Sequence, residues 1–134
     1  MNKSSNTFPG LKTALGLKTV LIVEDDVCIR EILQYALQSE GYHVTSVENG
    51  KRGMEQLAKN PPPSIVLLDM MMPVMNGREF LDAIRANEML QDLPVVVFSA
   101  NSSKKNAMGA NAFLRKPTDL DSLIQTIESY RTLA

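Results

Sequence analysis

Thr19-Val20-Leu21-Ile22-Val23-Glu24-Asp25-Asp26 sets a short run, apolar on both faces, directly before three acids. Such a run reads as a fully buried central strand of a parallel sheet, whose faces are both covered. The same device recurs further along. Ile65-Val66-Leu67-Leu68 is followed by Asp69, Val95-Val96-Val97-Phe98 by Ser99-Ala100, and Ala112-Phe113-Leu114-Arg115 by Lys116-Pro117. If these runs are parallel strands of one open sheet, their carboxyl ends share an edge. The carboxylates, the hydroxyl and the ammonium then converge in the crevice where such sheets bind ligands.

The segments between the runs have helical period. Val27 to Ser39 repeats Ile29, Ile32, Leu33, Ala36 and Leu37, with Gly41 as its stop signal. Tyr42 to Val47 alternates like an edge strand. Asn49 to Lys59 forms a helix with Met54, Leu57 and Ala58 on its core side, closed by Pro61-Pro62-Pro63. Gly77 to Asn87 buries Phe80, Leu81 and Ile84, and Asp119 to Leu133 places Leu120, Leu123, Ile124, Ile127 and Tyr130 on one face, with Thr118 or Asp119 as its cap. Strand–helix–strand crossovers are right-handed in about 98% of cases. The expected fold is therefore α/β, a doubly wound five-stranded parallel sheet of order 2-1-3-4-5. Its first and third strands flank the switch point, where Asp25 and Asp69 meet.

With 134 residues the chain has the length of one domain, and its 14 basic and 15 acidic residues leave a formal charge of −1. That balance gives no electrostatic reason to expect nucleic acid or an anionic membrane as partner. No apolar run approaches the ~20 residues of a membrane helix. Residues 1–18 carry three lysines and no acid, but Lys12 and Gly16 interrupt the apolar residues that a signal peptide needs contiguous. The expectation is a cytoplasmic chain with a mobile N-terminal arm over residues 1–18, in which Leu11, Ala14 and Leu15 offer a short amphipathic turn as the alternative. Cys28, the only cysteine, is expected to be buried at the start of the first helix.

Clustered carboxylates repel one another and call for a cation or raised pKa values. An all-oxygen donor set favours magnesium (or manganese) over calcium, for which no loop pattern is present. Zinc is disfavoured because His43 is the only histidine and Cys28 has no second thiol. Met70-Met71-Met72 with Met75 reads as packing rather than as a copper(I) site. With a metal present, Asp69 suits a nucleophile towards phosphorus, forming an acyl phosphate. Lys116 would neutralise one phosphoryl oxygen, Ser99 would donate a hydrogen bond to another, and the small Ala100 would leave the approach open. The bland alternatives are that Asp25 or Asp26 caps the first helix, Asp69 caps a turn and Lys116 is a solvated strand-end lysine.

From Thr19 to the end, the chain resembles a response-regulator receiver domain of the CheY-like, flavodoxin-like kind. LIVEDD resembles the family's first strand and acidic pair, LLDMMMPVMNG its phospho-acceptor loop, FSA its hydroxyl strand end and FLRKP its lysine–proline end. The resemblance implies a receiver domain over residues 19–134, with Glu24 and Asp25 as metal-site acids and Asp26 merely following them. It implies Asp69 as phospho-acceptor and Met71 as the residue whose main-chain carbonyl ligates magnesium. Pro73 and Gly77 would shape the loop, and a cis bond would precede Pro117. The implied partner is a histidine kinase or histidine phosphotransfer protein carrying phosphohistidine. On phosphorylation, Ser99 would move toward the phosphoryl group and Phe113 would turn inward as the switch aromatic, signalling to a downstream protein target. Phe113 lacks the hydroxyl of the more usual tyrosine.

Only 16 residues separate Ser99 from Lys116, which shortens the fourth helix to about one turn ended by Gly109. Dimerisation through that helix is therefore expected to be impaired. The resemblance places Met71 and Asn101 at positions flanking the phosphoryl group, which influence water access in the family, and the apolar Met71 is expected to slow autodephosphorylation. The chain reads as a stand-alone receiver. The rival readings are an unphosphorylated pseudo-receiver scaffold, a haloacid-dehalogenase-type phosphatase, which would need an acid where Met71 stands, and a flavodoxin-like electron carrier, whose phosphate loop is missing.

Overall fold

The computed structural model describes residues 19–59, 62–100, 107–116 and 119–131. Five strands, β1 (Thr19–Val23), β2 (His43–Val47), β3 (Ile65–Leu68), β4 (Val95–Ser99) and β5 (Ala112–Arg115), form one sheet in the order β2-β1-β3-β4-β5. All four pairings are parallel, as the sequence predicts. The described helices are α1 (Val27–Ser39), α2 (Gly50–Lys59), α3 (Gly77–Ala86) and α4 (Leu120–Arg131). None is long and apolar enough to cross a membrane. The arm over residues 1–18, Asn101, the cis bond expected at Pro117, Thr118 and most of the segment after Ala100 expected to hold a short helix lie outside the described residues.

Successive strand residues point to opposite faces, so a sheet covered on both sides needs continuous apolar runs. Val20, Ile22, Ile65, Leu67, Val96 and Phe98 pack with Leu33 and Leu37 of α1 and with Leu123 and Ile127 of α4. Their neighbours Leu21, Val23, Val66, Leu68, Val95 and Val97 pack on the other side with Leu57 of α2 and with Phe80, Leu81 and Ile84 of α3. In β1 the partner of Val23 is Leu68, and in β3 the partner of Leu68 is Val97. The strand ends are thus brought level at one edge.

Local signals fix the helix ends. Asp26 caps α1 by accepting from the Ile29 N–H at 3.1 Å, and Asn49 accepts from the Arg52 N–H at 2.9 Å, so α2 begins one residue later than the periodicity suggests. Asn76 and Glu79 form a reciprocal capping box on α3. Asp119 holds the start of α4 through Ser122. Gly41, at φ +94°, turns the chain after α1 where a side chain would be strained.

Three packing expectations are corrected. Cys28 is exposed rather than buried. It sits five residues before Leu33, about 140° round the helix from it, on the far side from the core stripe of Leu33 and Leu37. Ile32 is 58% exposed for the same reason. In α2, Ala58 is exposed, and the core side is completed instead by the small buried residues Gly50 and Gly53. A Cβ on Gly53 would lie 2.7 Å from the ring of Phe80.

The loop between β3 and α3 contains one strained residue. Val74 has φ +71°, and the Met75 N–H donates to the Pro73 carbonyl at 2.8 Å, which is the pattern of a γ-turn with its central residue in the unfavourable hand. Such strain costs about 1–3 kcal/mol, against about 0.5–1 kcal/mol for the extra freedom of glycine in the unfolded chain. Val74→Gly is therefore expected to stabilise the fold by about 1 kcal/mol, read as a raised midpoint in urea unfolding.

Candidate functional site

Each polar residue at the upper edge is delivered by the strand beneath it. The Asp69 N–H donates to the Val23 carbonyl (2.9 Å) and the Glu24 N–H to the Val47 carbonyl (3.0 Å), extending the ladder one residue past the strands. The Lys116 N–H donates to the Ser99 carbonyl at 3.1 Å. Carboxylate oxygens of Glu24, Asp25 and Asp69 then lie within 4.8 Å of one another. Glu24 is 2% exposed and Asp69 5%, while Asp25 is open to solvent.

Lys116 reaches into this cluster. Its ammonium donates to Glu24 Oε1 at 2.7 Å and lies 3.9 Å from Asp69 Oδ2, with its charge 5.2 Å from the centre of the Phe98 ring. It is thus a partly buried counter-ion, not the solvated lysine of the bland alternative. Burial pushes the Glu24 carboxyl up to about 7, because the loss of hydration outweighs the hydrogen bond from Lys116. Between the ordinary carboxyl range and that value, the folded protein holds a proton that the unfolded chain has released. Metal-free stability is therefore expected to fall as pH rises from about 4.5 to about 7 and then to level off. Urea unfolding across that range measures the slope, and Glu24→Gln is expected to flatten it.

The main chain and second-tier side chains hold the edge still. The Met71 N–H donates to Asp69 Oδ1 at 3.2 Å and the Asp26 N–H to Glu24 Oε2 at 3.1 Å. Arg30 grips the acidic turn from α1, donating to the Glu24 carbonyl at 2.8 Å. Its contribution was not evident from the sequence; the only sequence signal is a basic residue one helical turn after the acidic triplet. Gly77 allows α3 to start against the loop: a Cβ there would lie 2.5 Å from Met70 Cα and 2.8 Å from the Asp69 carbonyl. Ser99 Oγ is fully buried and has no hydrogen-bond partner among the described residues. An unpaired buried hydroxyl costs free energy until a ligand accepts from it. Asp26 is drawn off to cap α1.

Of the other predicted residues, Met71 is 58% exposed at the loop, Pro73 is exposed, and Ala100 is exposed just beyond Ser99. Phe113 is half-buried against the α2–α3 side of the core, with the Arg115 guanidinium 5.8 Å from its ring centre. A second structural hub lies at the other end of the sheet, by the amino ends of β4 and β5, and has no sequence signature of its own. Arg85, in the last turn of α3, donates to the carbonyls of Gly109 (2.8 Å), Gln91 (3.0 Å) and Leu93 (2.8 Å) and to Asn111 Oδ1 (3.0 Å). Asn111 Oδ1 also accepts from the Val95 N–H at 2.8 Å, and the Asn111 carbonyl accepts from the Tyr130 hydroxyl at 2.6 Å.

The chain is similar to the two-component response regulator ORR5 of Oryza sativa subsp. japonica, 36% identical over 107 residues that cover 76% of this chain and 80% of that protein. It is 28% identical to the phosphate regulon transcriptional regulatory protein PhoB of Klebsiella pneumoniae over 84% of this chain but 51% of that relative, so it spans about half of PhoB's length. Among solved structures it superposes on the receiver domain of sensor histidine kinase PA1611 from Pseudomonas aeruginosa PAO1, which has a magnesium ion coordinated in the active-site cleft. The TM-score is 0.80 and the identity 26%, covering 87% of this chain and 98% of that one. The response regulator TrrA of Thermotoga maritima, in complex with Mg(2+)-BeF, gives 0.77 and 28%, covering 85% and 99%. Residues 20–128 match the sequence pattern of the response regulator receiver domain, and the chain belongs to that family of two-component signalling proteins.

Proposed function

We propose that residues 19–134 form a receiver domain in which Asp69 accepts a phosphoryl group from the phosphohistidine of a histidine kinase or histidine phosphotransfer protein. The observation that carries this reading is the cluster of three carboxylate oxygens within 4.8 Å, with the Lys116 ammonium against two of the carboxylates. The oxygen donors fit a hard divalent ion, and the unpartnered Ser99 Oγ fits an incoming oxyanion. Glu24, Asp25, Asp69 and the Met71 carbonyl would hold magnesium, or manganese in its place. When bound, the ion supplies positive charge to the phosphoryl oxygens.

An Asp69 carboxylate oxygen attacks phosphorus as the bond to the histidine nitrogen breaks, and the imidazole leaves with the electron pair. Lys116, already at the cluster, offsets the added negative charge, and the Ser99 hydroxyl donates to a phosphoryl oxygen. The local charge change then biases the surface around Ser99 and Phe113, through which the domain contacts a downstream protein target. In this reading the domain is a phospho-acceptor rather than a turnover enzyme, and it works in the cytoplasm beside its kinase. The family match and the intact charge set favour it over the unphosphorylated scaffold.

Acetyl phosphate with magnesium is the direct test. Intact mass is expected to rise by one phosphoryl group in the parent and not in Asp69→Asn; no rise in the parent would leave the scaffold reading. The same experiment followed in time reads the loss of the group. The apolar Met71 side chain at the rim excludes attacking water, so Met71→Asn is expected to shorten the half-life by about tenfold, less than the ~100-fold or more of a positioned general base because an amide only orients the water.

A further inference from the structure

Between α1 and α4 runs a groove of about 670 Å³ that the receiver site does not use. Its floor is apolar, with Ala36 and Ile124, and its lips carry Ile32 at 58% exposure, Tyr35 at 75% and Leu120 at 40%. Glu31, Glu40 and Asp121 also line it, with no basic side chain among the lining residues. The occupant that suits this groove is apolar and cationic. Residues 1–18 have that composition: Phe8, Leu11, Ala14, Leu15 and Leu17, with Lys3, Lys12 and Lys18 and no acid.

The connectivity also suits it. Thr19, where β1 begins, is paired with His43, only three residues after Glu40 at the groove's lower end. The 13 residues of α1 rise about 20 Å, while 18 residues can reach at most ~60 Å. The arm is therefore long enough to lie along the whole groove without leaving its point of entry. We infer that residues 1–18 dock intramolecularly in the α1–α4 groove, leucines against Ile32 and Tyr35 and lysines toward Glu31, Glu40 and Asp121. The upper end of the groove is Cys28, two residues past Asp26, so the docked arm would end beside the carboxylate edge.

Cys28 reports on this docking, because it is the only cysteine, is exposed and lines the groove. The rate of its alkylation by iodoacetamide, a neutral reagent, would be followed by intact mass in the full chain and in two full-length variants. One carries Leu11→Ser with Leu15→Ser, the other Lys3→Glu with Lys12→Glu. A tether giving a local concentration about tenfold above the dissociation constant slows the parent about tenfold. Both variants are expected to recover most of that rate. Equal rates in all three chains would overturn the inference. Protection that disappears on dilution would overturn it too, since a second copy would then be the occupant.

Discussion

Lys116→Ala is expected to lose about 3 kcal/mol of stability in metal-free buffer above neutral pH, the cost of stranding a buried charge, and to take up phosphoryl groups about 100-fold more slowly. Both effects follow from the ammonium lying 2.7 Å from Glu24 and 3.9 Å from Asp69 in a largely buried setting. Removing it leaves two buried carboxylates facing each other. The stability loss is expected to shrink as the pH falls toward about 7, because without Lys116 the Glu24 carboxyl lies higher still, takes up a proton and no longer needs a counter-ion. Lys116→Met separates the two roles of the side chain: it keeps an apolar stem over Phe98 while losing the charge. Urea unfolding at two pH values, alongside uptake from acetyl phosphate, measures all of these. A loss relative to the parent that is the same at both pH values would show that the lysine is not the counter-ion of the cluster.

Arg85→Ala is expected to cost about 2–3 kcal/mol, more than an ordinary surface arginine, since hydrogen bonds from a charged donor are worth about 1.5–3 kcal/mol each and act here as one unit. One guanidinium ties the last turn of α3 to the loop after it, to the turn at Gly109 and to Asn111 at the start of β5. Arg85→Lys is expected to recover little, because an ammonium lacks the planar fork that reaches four acceptors together. The loss should appear as lowered unfolding midpoints in both variants. It should also appear as faster amide exchange at Val95, whose N–H depends on Asn111.

Much of this architecture was legible because a doubly covered parallel sheet demands unbroken apolar strands. The residue after each run is then forced to the edge. Asp69, Ser99 and Lys116 could be placed this way before any side chain was seen, and so could the strand order. What remained hidden depends on direction rather than pattern. Cys28 and Ile32 fit a helical period by type, yet they lie off the stripe that Leu33 and Leu37 define. A sequence shows that α1 is amphipathic more readily than it shows where the stripe ends. The pairing of Lys116 with Glu24, 92 positions away, depends on rotamers at the edge. The Arg85 hub joins carbonyls of irregular segments, which any residue type could supply.

The level register of β1, β3 and β4 also decides what changes in length the domain tolerates. A residue added to a loop alters spacing, but one removed from Ile65–Leu68 turns every following side chain to the opposite face of the sheet. Asp69 would be swung away from Glu24 and Asp25 in the same event that exposes the core. Substitutions at the edge can alter the chemistry and leave the fold standing, whereas a single-codon deletion in β3 removes both together.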